Sequence, residues 1–149
     1  MSEFSISHRD FNDGEEIPKK FGYKHGNEEP HIGLGMIPSG TRSLAVIMDD
    51  PDAMGAVGKV WVHWMILMSA DDPSLAKLSV GAISGKNDFG EIGYGGPAPP
   101  DKRHTYVFKA YALDNDVLDL KEGYSKQELE DAMKGHIIAE AKLTGTFAP

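Results

Sequence analysis

Cysteine is absent from the 149 residues. That excludes disulfides and thiolate chemistry, and it removes any argument for an oxidising compartment. Long apolar runs are missing too. The longest, around Trp64 to Met68, is far too short for a bilayer, and the opening residues MSEFSISHRDF hold no apolar leader core. A soluble, cytoplasmic chain without stable membrane anchoring is the expectation. Basic residues are outnumbered, with 15 Lys and Arg against 23 Asp and Glu, for a formal net charge of −8. A general attraction to nucleic acid or to an anionic membrane is therefore excluded as a working function. Any anion that binds must be held by local donors, because the overall field repels it.

Several chemical signatures are lacking as well. No HxH, HxxxH or HExxH pair occurs, so no metal site is expected. No serine sits in a GxSxG elbow, and the glycine-rich loop lacks the Lys-Ser/Thr ending of a phosphate P-loop. No cofactor is expected. Internal repeats and low-complexity blocks are also absent. What remains is ordinary soluble composition, 40% hydrophobic and 26% charged, and the length suits one domain over residues 1–149.

Residues 1–42 are rich in turn formers and read as short strands wrapped around a body, anchored by Ile17-Pro18 and by Ile32 to Ile37. SLAVIM, Ser43 to Met48, reads as a buried strand that ends in the turn-former Asp49-Asp50-Pro51-Asp52. KVWVHWMILMS, Lys59 to Ser69, alternates Val60, Val62, Trp64, Ile66 and Met68 against Trp61, His63, Met65 and Leu67. Both sets are apolar, which predicts a strand covered on both faces, with His63 as the ionisable group inside it. His104 to Leu113 alternates likewise, with His104, Tyr106, Phe108, Ala110 and Ala112 on one face. Ser125 and Glu128 form a capping box, and the helical spacing of Leu129, Ala132, Met133, His136, Ile137 and Glu140 predicts a helix, with Gly145 as the stop for it or for the turn after it. Thr146-Phe147 then returns to the sheet. Several strands and one late helix make the class mainly β.

His63 on an apolar strand face is either a satisfied core histidine or a pocket wall. His104 and Tyr106 share a face about 7 Å apart, a spacing that suits two oxygens of one small group, though tyrosine is common in strands. Asp50-Pro51-Asp52 is either turn chemistry or a carboxylate turned back to orient a histidine or meet an ammonium. Gly93-Tyr94-Gly95-Gly96-Pro97-Ala98-Pro99-Pro100 predicts a stiff wall, with the remaining N–H groups free to point inward.

Three blocks taken together, DDPDA at 49–53, WVHWMI at 61–66 and GYGGPAPPDKRHTY at 93–106, resemble the phosphatidylethanolamine-binding protein family, also called the Raf kinase inhibitor protein family, in its bacterial and archaeal branch. Weaker similarities, DGEEIPKKF at 13–21, PSGTRSLAV at 38–46, GKNDFG at 85–90 and HIIAEAKLTGTF at 136–147, extend it over the whole chain. The resemblance implies a large antiparallel sheet packed with a smaller one and a shallow pocket at one end. It implies a pocket for phosphate-like and carboxylate anions such as phosphorylethanolamine, walled by Asp50, Trp61, His63, Gly96, Pro97, Pro99, His104 and Tyr106. A homodimer is implied in the same way.

Three positions depart from the family pattern. Met54 stands in place of a common proline, Lys102 in place of a frequent glycine, and Thr105 in place of a frequent arginine. The first implies a different path after Asp52, the second an added charge at the mouth, the third an altered supporting ion pair.

The expected function is non-enzymatic anion binding that varies with pH in the histidine range, since Asp50 repels an anion unless protonated or paired with imidazolium. A protein-interaction module that inhibits a kinase or a serine protease is the alternative, with no partner identified by any stretch. A hydrolase using His and Asp lacks a nucleophile with a dedicated base.

Overall fold

The computed structural model describes residues 3–70, 82–116 and 119–149. Strands β3 (Ser43–Asp50), β4 (Trp61–Ser69), β5 (Ile83–Ser84), β6 (His104–Leu113) and β7 (Ile137–Phe147) form a five-stranded sheet in the order β5-β4-β3-β6-β7, every neighbour antiparallel. Strands β1 (Ser5–His8) and β2 (Ile32–Gly35) pair as a small second sheet. A single 3-10 turn covers Lys19–Phe21, a short helix α1 covers Ala53–Val57, and helix α2 spans Lys126–Met133. The architecture is mainly β, a large antiparallel sheet with a smaller one and one main helix near the C-terminus.

β3 lies at the centre and is buried at all eight positions, as an apolar strand flanked on both faces must be. On one face Leu44, Val46, Trp64, Ile66, Tyr106 and Phe108 pack under the small sheet and the N-terminal segment, through Ile6, Phe11, Ile17 and Phe21. On the other, Ala45, Ile47, Val62, Met65 and Leu67 pack under α2, through Leu129 and Met133. The first face is heavily aromatic and the second mostly aliphatic.

Two sequence expectations are corrected here. The helix stops at Met133 rather than running on to Glu140. Gly135 adopts φ 81°, a conformation glycine holds without strain, and Ile137–Phe147 then pairs along β6. The periodicity of His136, Ile137 and Glu140 belongs to an edge strand whose first half is largely exposed. The second correction concerns β4. Met48 pairs with Trp64 but Asp49 pairs with Val62, so His63 is an extra residue, a β-bulge. The bulge breaks the alternation: Val62 joins Met65 and Leu67, opposite Trp64, Ile66 and Met68.

The N-terminal segment closes the outer edge of β7. Asp13 accepts from the Thr144 N–H at 2.7 Å, Ile17 N–H donates to the Thr146 carbonyl at 2.7 Å, and Glu16 bridges Thr146 in parallel. Ile17 and Phe11 then lie over Gly145, where a Cβ would come within 2.7 Å of either.

Candidate functional site

The bulge decides where the site lies. Because His63 has no partner on β3, its backbone is satisfied elsewhere. Its carbonyl accepts from the Gly95 N–H at 2.9 Å, and its ring Nδ1 donates to the Gly95 carbonyl at 2.6 Å. Both bonds lock the glycine-proline loop to the strand and swing the imidazole onto the aromatic face, against Tyr106 and Phe89, with ring centroids 5.1 and 5.5 Å away.

The loop is fixed from the outside as well. The Gly96 N–H donates to Asn27 Oδ1 at 2.8 Å, and a Cβ on Gly96 would sit 1.9 Å from the Phe21 carbonyl oxygen. Only glycine allows that approach. The Tyr94 hydroxyl donates to the same carbonyl at 2.7 Å. The N–H groups of Gly93, Gly95 and Gly96 are therefore spent on structure, contrary to the expectation that they face inward. Ala98 is different: its N–H is directed at the Tyr106 hydroxyl.

Between the loop, α1 and the ends of β3, β4 and β6 lies a pocket of about 120 Å³. Asp50, Trp61, His63, His104 and Tyr106 line it, so five of the eight residues expected there come together. Gly96, Pro97 and Pro99 do not. Gly96 packs on Phe21, and the two prolines face a separate cavity with Lys24 and His25 on the loop's far side. Ala98 and Pro100 line that cavity too, and they also present the loop to the pocket. Ala53, Ala56 and Val57 of α1, together with Phe89, complete its apolar wall. Sequence reasoning missed all four of these. Phe89 had a signal in the GKNDFG block: Asn87 Oδ1 accepts from the Phe89 N–H at 3.0 Å, and the ring stacks on Tyr23 at 4.0 Å. The small residues of α1 gave none.

Asp50 accepts from the Asp52 N–H through Oδ1 at 3.0 Å and meets His104 Nδ1 through Oδ2 at 2.6 Å. The other His104 nitrogen, Nε2, meets Asp101 Oδ1 at 2.7 Å. Asp101 was not anticipated, although its place three residues before His104, where the loop ends, puts it within reach. Burial disfavours a charge on His104, but the hydrogen bonds and charges of Asp50 and Asp101 outweigh it and raise the pKa. The group is best described as an imidazolium between two carboxylates. His63 shifts the other way: burial holds it neutral against the weaker pull of the Gly95 carbonyl and Asp50. The Tyr106 hydroxyl is fully buried, lies beside Asp50 and Ala98, and completes no hydrogen bond. Burial above all, then the Asp50 charge, pushes its pKa up, so it stays protonated as a donor.

Of the three departures, Met54 lies on α1 with 55% of its surface exposed and is not among the residues lining the pocket. The Thr105 N–H donates to Asp52 Oδ2 at 2.8 Å, tying β6 to the turn before α1. Lys102 is exposed. Among the described residues no group of three or more His, Cys, Asp or Glu side chains could hold a metal ion, and no helix is long and apolar enough to cross a membrane.

A sequence model of the phosphatidylethanolamine-binding protein family matches residues 7–148. The chain is 41% identical over 145 residues to a UPF0098 protein of Methanothermobacter thermautotrophicus, covering 92% of this chain and 93% of that one. Its fold is similar to the crystal structure of a phosphatidylethanolamine-binding protein homologue from Chlamydia trachomatis, with TM-score 0.83, 33% identity, and coverage of 98% of this chain and 97% of that one. It is also similar to YBCL of E. coli, described as a member of the mammalian family, with TM-score 0.85, 30% identity, and coverage of 98% of both chains. The chain belongs to the phosphatidylethanolamine-binding protein family, and that membership supports a binding role.

Proposed function

We propose that this protein is a non-enzymatic binding module, cytoplasmic in setting, whose pocket takes the phosphoryl or carboxyl group of a small anion such as phosphate or phosphorylethanolamine. The observation that carries this reading is the Tyr106 hydroxyl, enclosed at the pocket floor beside the Ala98 N–H and without a hydrogen-bond partner. A buried hydroxyl without a partner is costly, and an anionic oxygen placed beside it accepts from the O–H. The apolar wall strengthens that bond by keeping the local dielectric low. Binding rather than turnover is supported by the histidines, since His104 has both nitrogens held by carboxylates and His63 has Nδ1 held by a carbonyl. Neither is poised beside a nucleophile.

The test is calorimetric titration of phosphate and O-phosphorylethanolamine into the wild type and Tyr106→Phe, which keeps the ring packing. A bond from a neutral donor to a charged oxygen implies a loss of roughly tenfold or more in the variant. Equal affinities, or no binding to the wild type, would remove the reading.

A further inference from the structure

We propose that the pocket selects phosphoryl groups that still carry a proton, phosphate monoesters as monoanions, over fully ionised or doubly esterified anions, and that His63 is the residue that reads the proton. The inference rests on the phosphoryl reading above and goes beyond it by fixing the protonation state and ester class of the ligand.

The argument begins with the bulge. A carbonyl oxygen only accepts, so the 2.6 Å contact with Gly95 requires the hydrogen of the neutral His63 ring to be on Nδ1. The other ring nitrogen, Nε2, then carries a lone pair, and His63 forms part of the pocket wall. A fully ionised phosphate or sulfate presents only lone pairs of its own and is repelled there. A P–OH group donates to it.

The surrounding charges act in the same direction. Asp50 on β3 and Asp101 at the loop end face one imidazolium, His104 on β6, and Asp52 adds its charge toward Tyr106, so the pocket borders a net negative charge. Asp49 adds its field from the opposite face, where Lys126 answers it. Tyr106 and Phe89, the rings packed on His63, are neutral. A dianion meets that negative charge with two units of its own, and a monoanion with one. Donor and acceptor then match a monoester in its monoanionic form: Tyr106 O–H serves an ionised oxygen, and His63 Nε2 takes the acidic hydrogen.

The experiment titrates methyl phosphate and methylphosphonate into the wild type from pH 5.5 to 8.5, with dimethyl phosphate and sulfate alongside. A phosphate monoester loses its second proton near pH 6, at about that value in phosphoserine, and methylphosphonate does so at higher pH. Methyl phosphate affinity should fall about tenfold per pH unit above its own second ionisation, and the methylphosphonate curve should be displaced to higher pH by the difference between the two ligands. Dimethyl phosphate and sulfate should bind at least about tenfold more weakly than methyl phosphate at pH 5.5. In His63→Gln, whose amide can turn a donor to the ligand, that discrimination should collapse.

Independent of any variant, nitrogen NMR of the wild type at pH 7 should show the His63 ring as the Nδ1–H tautomer. A midpoint shared by both monoanion-forming probes would assign the pH dependence to the protein and overturn the inference while leaving phosphoryl binding intact. So would an Nε2–H or doubly protonated His63. Absence of binding by every probe would overturn the phosphoryl reading and the inference together.

Discussion

Asp49 and Asp50 are neighbours on β3 and equally buried, yet they serve opposite faces of the sheet. Asp49 meets Lys126 Nζ at 3.1 Å, at the first turn of α2, and the lysine side chain keeps 29% of its surface exposed. Asp50 meets His104 inside the pocket wall, and both side chains are almost wholly enclosed. The helix-side pair is therefore a hydrated rim contact that fastens α2 to the sheet. The pocket-side pair is sealed, and its cation is one that titrates. Burial of the carboxylate is the same in both; what differs is how freely the partner reaches water.

Asp50→Ala should break this asymmetry with the largest effect. It leaves His104 enclosed without one of its two carboxylates, a change of about 3–5 kcal/mol by urea denaturation, because removing one partner strands the other. Asp49→Ala should cost about 1 kcal/mol or less, since Lys126 can turn to solvent. Similar losses from both variants would erase the distinction. Only the first should change phosphate affinity.

Acid tests the aromatic face at a second histidine. His8 packs against Phe11 and Phe21, with ring centroids 4.3 and 4.9 Å away, and burial lowers its pKa from 6.5 to about 4 despite Asp10. As pH falls below 6.5 the unfolded chain takes up the proton first, so stability drops until about pH 4, by on the order of 3 kcal/mol. His8→Phe should flatten that limb of a urea-midpoint profile.

The helix side offers a comparable but smaller handle. Ser125 accepts from the Glu128 N–H at 3.1 Å, and Glu128 reaches back to the Ser125 N–H at 3.0 Å. Ser125→Ala should cost about 1 kcal/mol without touching the pocket. The smallest effect should come from Asp101→Asn. His104 has a folded pKa above its unfolded one, so its contribution is complete below the ordinary histidine range and is lost as pH rises through the raised value. With one carboxylate neutralised that alkaline loss shrinks, and NMR should place the His104 titration lower than in the wild type.

β3 was legible as a short apolar run, and β6 through an apolar alternation that survives in the structure. β4 shows where that logic fails. Nothing in WVHWMI marks His63 as an extra residue, since both faces of the strand are apolar and the pattern reads equally well in either phase. The family motifs point to His63 without explaining how the bulge brings it to the pocket. The helix overran its end for a similar reason: HIIAEA can be read with either period, and pairing to β6 decided the outcome. In the loop, the resemblance implies Gly96, Pro97 and Pro99 as wall residues. The backbone turns those three outward or against Phe21 and leaves Ala98, the plainest residue of the run, at the pocket.

The strap of residues 13–17 over β7 has a consequence for how the chain is made. Asp13 and Thr144 are 131 positions apart in sequence, so the first part of the sheet's outer edge is synthesised long before the strand it covers. At about 5–20 residues per second, those early amides wait roughly 7 to 26 seconds for their acceptors. Until then Phe11 and Ile17 have no Gly145 to lie against. The nascent sheet thus stays unclosed, with an apolar flap, until residues 144–146 emerge to fasten it.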